Sequence, residues 1–145
     1  MQAAAEYDLQ EKKDYLNRAR KADVLVNSYS RQLICLKDKA TKATAALSSD
    51  FSGTANPKKS EDLIIQISEL EVKLEEAISF FKETHEEVID IISGINNPIY
   101  AEIIARRYLE NQKWEQIAFE MNYDFRYVFK LHDRAVENLA ILQCI

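Results

Sequence analysis

The chain has 145 residues, of which 47% are hydrophobic and 30% are charged, and its net charge is −5. This composition is that of an ordinary globular protein, with apolar mass for one domain or two small units. Two glycines and two prolines in the whole chain favour long helices over a turn-rich β fold and exclude a glycine-rich phosphate-binding loop. The acidic balance argues against broad nonspecific nucleic-acid binding but permits a small basic contact surface.

The sequence predicts a cytoplasmic protein without a membrane anchor. No apolar run approaches the roughly 18 residues of a membrane span, and the polar N-terminal stretch differs from a signal peptide. Cys35 and Cys144 lack the spacing of metal ligands. A reducing compartment is therefore the simplest setting for these two thiols.

The first predicted element is a long helix over residues 7–47, a stretch without glycine or proline. Its apolar and small residues are separated alternately by four and three positions, which is the spacing of a heptad seam. They are Tyr15, Ala19, Ala22, Val26, Tyr29, Leu33, Leu36, Ala40, Ala43 and Leu47. A loop is predicted over residues 48–60, whose composition is that of a turn.

A second long helix is predicted over residues 61–95, with Ser60 as its N-cap. It repeats the same alternation, with one polar member. The seam residues are Leu63, Ile67, Leu70, Leu74, Ala77, Phe81, Thr84, Val88, Ile91 and Ile95. Two seams of equal length joined by a short loop predict an all-α protein built on an antiparallel, coiled-coil-like helical hairpin.

The second arm carries more apolar surface than a two-helix seam uses. Ile64, Ile78 and Ile92 stand beside the seam and widen the apolar face. We expect this width to be covered either by the C-terminal part of the chain or by a second copy, and we favour a homodimer. The hairpin is then a structural element, a dimerisation arm or a docking rod for a larger assembly, and the sequence leaves these three open.

A domain boundary is predicted at Asn97, between a hairpin domain (1–96) and a C-terminal unit of short helices (97–145). Proline disfavours helix in the residue before it and is well tolerated at the first helical position. Asn97 is a good N-cap. The next helix is therefore predicted to begin at Pro98 and to run to about Glu110.

The following segment has the core spacing of a helix-turn-helix. A first helix is predicted to begin near Trp114, and the small side chain of Ala118 lets a second helix cross closely over it. Four residues later, Asn122 suits the positive φ that the turn requires. Asp124 can cap the second helix, and Val128 can anchor that helix against the first.

Residues 113–139, KWEQIAFEMNYDFRYVFKLHDRAVENL, resemble region 4 of bacterial sigma factors of the sigma-70 type. In that family a SxEEIA first helix is followed by a turn, a recognition helix and an RA…L tail. The matching residues are Trp114, Glu115, Gln116, Ile117, Ala118, Val128, Arg134, Ala135 and Leu139. The resemblance covers roughly residues 98–142. With the hairpin in front, the layout resembles small regulators encoded by phages and prophages of low-GC Gram-positive bacteria.

The resemblance implies a DNA-binding transcription regulator of a bacterial host cell. Tyr127, Phe129 and Leu131 depart from the family, which often has Thr or Ser, or basic and polar residues, at these positions. Residues 99–145 contain six basic and seven acidic side chains, a net charge of −1. A DNA-binding surface would have to separate these charges, which fits a protein that binds as a dimer or together with RNA polymerase.

A DNA-reading surface is predicted at the start of the second helix, the end that such motifs insert into the major groove. The predicted base contacts are Phe125, Arg126, Tyr127 and Lys130. Arg126 can form two hydrogen bonds to guanine. The predicted phosphate contacts, which set register without reading sequence, are Arg106, Arg107, Lys113 and Arg134. Arg107 can alternatively pair with a carboxylate of the hairpin, and Trp114 is predicted to lie in the core.

Catalysis has little support in the sequence. His85 and His132 are distant from each other, and His85 lacks the Glu-x-x-His spacing of a carboxylate-bridged metal helix, so we predict it on a hydrated face. Neither cysteine has a histidine beside it. We therefore predict a non-enzyme without metal or cofactor.

Three functions compete at this stage. The first is a sequence-specific regulator whose partners are double-stranded DNA and RNA polymerase. The second is a DNA-packaging subunit, because small phage terminase subunits also combine a helix-turn-helix with helical oligomerisation segments. The third is a helical protein-binding module that mimics sigma region 4. A ring of many subunits would indicate the second function, and a dimer the first.

Overall fold

The computed structural model describes residues 2–48 and 57–139. Within these residues the secondary structure is entirely helical, and two long helices pack closely as a hairpin that is followed by short helices. The predicted all-α class and hairpin architecture are confirmed. The predicted loop lies mostly outside the described residues.

Helix α1 spans Gln2–Ser48 and helix α2 spans Pro57–Ser93. Both begin earlier than predicted, and Ser60 lies inside α2 rather than capping it. The physical reason is that proline has a fixed φ suited to the first helical position, so Pro57 can begin the helix itself.

The predicted heptad seams lie on the less exposed faces of the two long helices. Every seam residue whose side chain is described is buried or half-buried. Thr84, the one polar member, is buried, and its hydroxyl donates to the carbonyl of Phe81 at 3.2 Å. This bond within α2 lets a polar side chain occupy a seam position without an unsatisfied hydroxyl.

The wider apolar face of α2 is covered only in part. Ile92 packs against the core that α2 shares with the short helices. Ile64 and Ile78 remain 60% and 38% exposed. The described residues thus provide the predicted third surface at the end of α2 that leads into the short helices, and leave the predicted dimer untested.

The chain forms two compact units that divide the hairpin itself. One holds Val24–Phe80, and the other holds the chain up to Asp23 and from Phe81 onward. The sequence-predicted boundary at residue 97 falls inside the second unit, because the short helices bury apolar side chains against the base of the hairpin. This core contains Leu16, Ala19, Val88, Ile104, Tyr108, Ala135, Val136 and Leu139.

The short helices begin where the sequence predicts. Helix α3 spans Pro98–Ile104, and the Asn97 side chain accepts hydrogen bonds from the backbone N–H groups of the second and third helical residues at 2.9 and 3.4 Å. A π-helical turn, Ala105–Leu109, follows in place of the predicted α-helix. Its extra residue per turn accompanies a buried Tyr108. Helices α4 (Trp114–Met121) and α5 (Phe125–Glu137) are the last two helices of the described residues.

Candidate nucleic-acid interface

The turn between α4 and α5 has the predicted left-handed asparagine. Asn122 has φ 58° and ψ 42°. Its N–H donates to the carbonyl of Phe119 at 3.3 Å, and the N–H of Tyr123 donates to that of Ala118 at 3.0 Å. These bonds satisfy carbonyls at the end of α4 and turn the chain into the next helix.

The two helices meet at Ala118 and Val128, which the sequence marked for this contact, and at Ile117. Ile117 and Val128 are completely buried, and Ala118 is 7% exposed. They form one cluster, with Trp114 and Tyr123 packed partly buried against it. A larger side chain at position 118 would have to displace the packed neighbours, because protein cores hold little free volume.

Helix α5 separates a buried face from an exposed one. Asp124 caps it by accepting from the Arg126 N–H at 3.2 Å. The buried residues are Val128, Leu131, His132, Ala135 and Val136. All four predicted base contacts are exposed, and they are Phe125, Arg126, Tyr127 and Lys130. The structure therefore brings these four together on the surface of the first two turns.

The charges on α5 are arranged so that its first two turns carry free cations. Within the described residues, the side chains of Arg126 and Lys130 form no hydrogen bond or ion pair. Asp124 is used as the N-cap. Asp133, one turn further along, pairs with Lys13 of α1 at 2.8 Å. The first two turns therefore carry an unbalanced positive charge, whereas the second half of the helix carries Asp133, Arg134 and Glu137.

Arg106, a predicted phosphate contact, is held by two carboxylates. Its guanidinium lies 2.7 Å from Glu102 and 2.7 Å from Glu120. The hydrogen bond to Glu120, opposed in part by burial, raises the pKa of Arg106, and the same bond lowers the pKa of Glu120. A phosphate could bind Arg106 only by displacing these partners.

Arg107, a second predicted phosphate contact, packs against Trp114 at the start of α4. Its guanidinium carbon lies 4.1 Å from the centre of the Trp114 ring, and Nη1 donates to the carbonyl of Gln112 at 2.9 Å. Its Nε is buried without a hydrogen-bond partner. Burial, followed by the charge of Arg20, lowers the pKa of Arg107. Within the described residues it forms no ion pair with a hairpin carboxylate.

The other two predicted phosphate contacts are better placed for that role. Lys113 and Arg134 are exposed, and within the described part of the chain neither forms an ion pair. Trp114, predicted to lie in the core, is half-buried and packs against it, with its ring centre 4.8 Å from that of Phe129 and 4.7 Å from that of His132.

A buried tyrosine–histidine pair joins the π-helical turn to α5, and sequence reasoning missed it. The Tyr108 hydroxyl lies 2.7 Å from Nε2 of His132. Burial lowers the pKa of His132 to about 4 and raises the pKa of Tyr108 to about 12. At neutral pH both are uncharged. The Asp133 carboxylate, 3.6 Å from Nδ1, favours the tautomer with its proton on Nδ1, in which Tyr108 donates to Nε2.

The periodicity of α5 could have predicted that His132 of this pair is buried. His132 lies four residues after Val128 and three before Ala135, so it belongs to the inward stripe of an amphipathic helix. The identity of its partner carried no sequence signal, because Tyr108 belongs to another element.

The prediction for His85 is corrected. Its Nδ1 lies 3.1 Å from the carbonyl of Phe81, its ring stacks on that of Phe81 with the ring centres 3.8 Å apart, and its Nε2 is buried without a partner. It is therefore a packed side chain rather than a hydrated one. No group of three or more potential metal ligands occurs among the described residues. Cys35 is a free, exposed thiol, and Cys144 lies outside the described residues.

None of the helices in the described part of the chain combines the length and the apolarity that crossing a membrane requires. The sequence matches no protein-family model, no curated protein and no solved structure.

Proposed function

We propose that this protein is a sequence-specific DNA-binding transcription regulator that presents the N-terminal half of α5 to the major groove of double-stranded DNA. One observation carries the proposal: Arg126 and Lys130 are exposed and unpaired among the described residues, on a helix that is otherwise anchored by its buried face. Side chains on the first turns of such a helix are those that reach base edges.

The positions of the two cations on the helix suit this role. Successive helical residues are separated by about 100°, so Arg126 and Lys130 lie about 40° apart and about 6 Å along the axis. Both point away from the stripe of Val128 and Leu131. Arg126 has the geometry to bind guanine through two hydrogen bonds, and Lys130 can reach the next base or a phosphate.

The acidic residues of α5 follow the same outward stripe but come later. Asp133 and Glu137 lie seven residues beyond Arg126 and Lys130 respectively. The stripe therefore carries its cations on the first two turns and its acidic side chains later, where Asp133 is paired with Lys13. The proposed groove contact uses the first two turns, so the net charge of −1 of the C-terminal segment does not oppose it there.

The phosphate contacts in this proposal are Lys113 and Arg134, which are exposed. Two such contacts per chain give modest electrostatic affinity. We therefore propose that the regulator acts as a dimer or together with RNA polymerase, as the resemblance to sigma region 4 implies.

The test is fluorescence anisotropy on a duplex that the protein itself selects from a randomised pool, titrated across salt concentrations. The variant that joins Arg126→Ala with Lys130→Ala should bind the selected duplex roughly 10- to 100-fold more weakly than wild type. Its charge-matched control joins Lys73→Ala with Lys82→Ala, two exposed residues of α2, and should bind like wild type. Equal affinity for selected and scrambled duplexes at every salt concentration would contradict the proposal.

A protein-binding module is the second candidate, and one observation favours it. Phe125, Tyr127 and Phe129 are 40%, 43% and 37% exposed on the first two turns of α5, and exposed apolar side chains grouped on one surface are typical of protein interaction sites. A chain that selects no DNA sequence would assign the surface of α4 and α5 to a protein. A ring of many subunits in light scattering would instead favour the DNA-packaging alternative.

A further inference from the structure

Three aromatic side chains flank the two cations of α5. Phe125 and Phe129 are 40% and 37% exposed, and Tyr127 is 43% exposed. At about 100° per residue, the two phenylalanines lie on one side of the Arg126–Lys130 stripe and Tyr127 lies on the other. The exposed half of α5 is therefore a cationic stripe between two aromatic borders.

Ring contacts hold these borders in place. The ring centres of Phe125 and Phe129 are 4.9 Å apart in an edge-to-face arrangement, and Phe129 lies 4.8 Å from Trp114. Tyr127 meets the edge of Tyr123 at 5.2 Å. Because the rings are already packed, binding a ligand against them costs less side-chain entropy than ordering free side chains would.

We infer that the aromatic borders of α5 read the C5-methyl groups of thymine, so that the DNA sites of this protein carry thymine at the base pairs on both sides of the cation contacts. The inference rests on the proposed function. The thymine methyl is the apolar group that base pairs display in the major groove. Against the other groups of the base edges, a phenyl ring would remove water from hydrogen-bond donors and acceptors without replacing their hydrogen bonds, which is unfavourable.

Charge complementarity favours DNA over an apolar protein as the occupant of this surface. Arg126 and Lys130 lie between the aromatic borders, and no described residue neutralises them. An apolar protein surface laid across both borders would bury two unpaired cations, which is costly. A polyanion that displays methyl groups satisfies the cations and the rings together.

The experiment uses the full chain and the duplex selected from the randomised pool. Each thymine of the site is replaced singly by uracil, which removes the methyl and keeps the base-pairing edge, and then by 5-bromouracil, which restores a group of similar size. At the contacted positions uracil should weaken binding roughly fourfold, the equivalent of one buried methyl group, and 5-bromouracil should restore it.

Protein variants assign each contact to a side chain. Phe125→Ala should abolish the difference in affinity between thymine and uracil at the base pairs on its own side of the cation contacts and keep it on the other side. Tyr127→Ala should do the reverse. Phe119→Ala removes an aromatic ring that is more exposed but lies on α4, and it should leave every difference unchanged. The uracil series on wild-type protein needs no mutation, so a variant that fails to fold does not affect the result.

The outcomes separate the two proposals. If the protein selects a sequence but uracil binds within twofold of thymine at every position, the methyl inference is wrong and the proposed function stands. If Phe119→Ala alone removes the differences, the assignment to α5 is wrong. If no sequence is selected, both proposals fail and the aromatic surface is assigned to a protein partner.

Discussion

Among the described residues, two asparagines have positive φ, one on each side of α4, and they are held in different ways. Asn111 (φ 54°) precedes α4 and Asn122 (φ 58°) follows it. The Asn111 side chain accepts from Nε of Arg20 at 2.7 Å and donates to Asp23 at 2.7 Å. The side chain of Asn122 is exposed and forms no hydrogen bond among the described residues.

The difference shows that the conformation of one turn depends on its neighbours in the sequence, whereas the other turn also depends on contacts with a distant helix. Asn122 satisfies a backbone requirement that its own neighbours create, so the sequence pattern identified it. Asn111 satisfies the same backbone requirement, and it also ties the entry of α4 to α1. We therefore expect the two turns to respond differently to the same substitutions.

The largest expected effect comes from alanine at each position. Asn111→Ala should lower the free energy of unfolding by about 3 kcal/mol, because it forces alanine into the left-handed region and removes the two hydrogen bonds to Arg20 and Asp23. Asn122→Ala should cost about 1 kcal/mol, from the backbone alone. Urea unfolding at a constant m-value measures both. Equal losses would mean that the contacts of Asn111 contribute nothing.

The second expected effect is a loss of stability in acid, which we expect from the tertiary contacts of buried His132. The pKa of His132 is lowered from 6.5 to about 4, mainly by burial. Between these values the unfolded chain binds a proton that the folded chain does not, so stability falls as pH falls through this window and is fully present above pH 6.5. From pH 6.5 to pH 5 the loss from this group should reach about 1.5 kcal/mol.

The matched variant for this prediction is His132→Gln, which can still accept from Tyr108 but does not titrate. Its unfolding free energy should vary less than that of wild type between pH 6.5 and pH 5. Parallel pH profiles for the two proteins would show that His132 is not the source of the acid sensitivity.

The smallest expected effect comes from glycine at the same two positions. Glycine adopts the left-handed region freely, so Asn122→Gly should change stability by no more than about 0.5 kcal/mol. Asn111→Gly relieves the backbone as well but still loses the contacts to Arg20 and Asp23, and should cost about 1.5 kcal/mol. Thermal unfolding of the two variants side by side gives the difference, and a loss at position 122 as large as at position 111 would contradict the local account.

Much of the fold could be predicted because it depends on periodicity and on short-range bonds. The heptad alternation predicted the seam, and Thr84 in that seam is satisfied by a carbonyl three residues away. The caps at Asn97 and Asp124 each bind N–H groups two or three residues further on. The helix bounds were less accurate at the N-terminal ends, where Pro57 begins α2 in place of Ser60.

The candidate site was predicted in part. The exposure of Arg126 and Lys130 follows from the inward stripe of α5, which the sequence displays. The contacts of Arg106 and Arg107 could not be predicted from the sequence. Arg106 is held by Glu120 of another helix, and Arg107 lies against Trp114. Their predicted phosphate contacts stay predictions that would require these contacts to break.

By itself, the sequence determined the helical class, the hairpin seam, the left-handed Asn122 turn and the exposed face of α5, because each depends on residues within about one helical turn or on a repeating period. Only the tertiary structure decided the Tyr108–His132 bond, which joins residues 24 positions apart, and the Arg20–Asn111 bond, which joins residues 91 positions apart. Such polar pairs form where packing brings two elements together, and neither member carries a mark of its partner in the sequence.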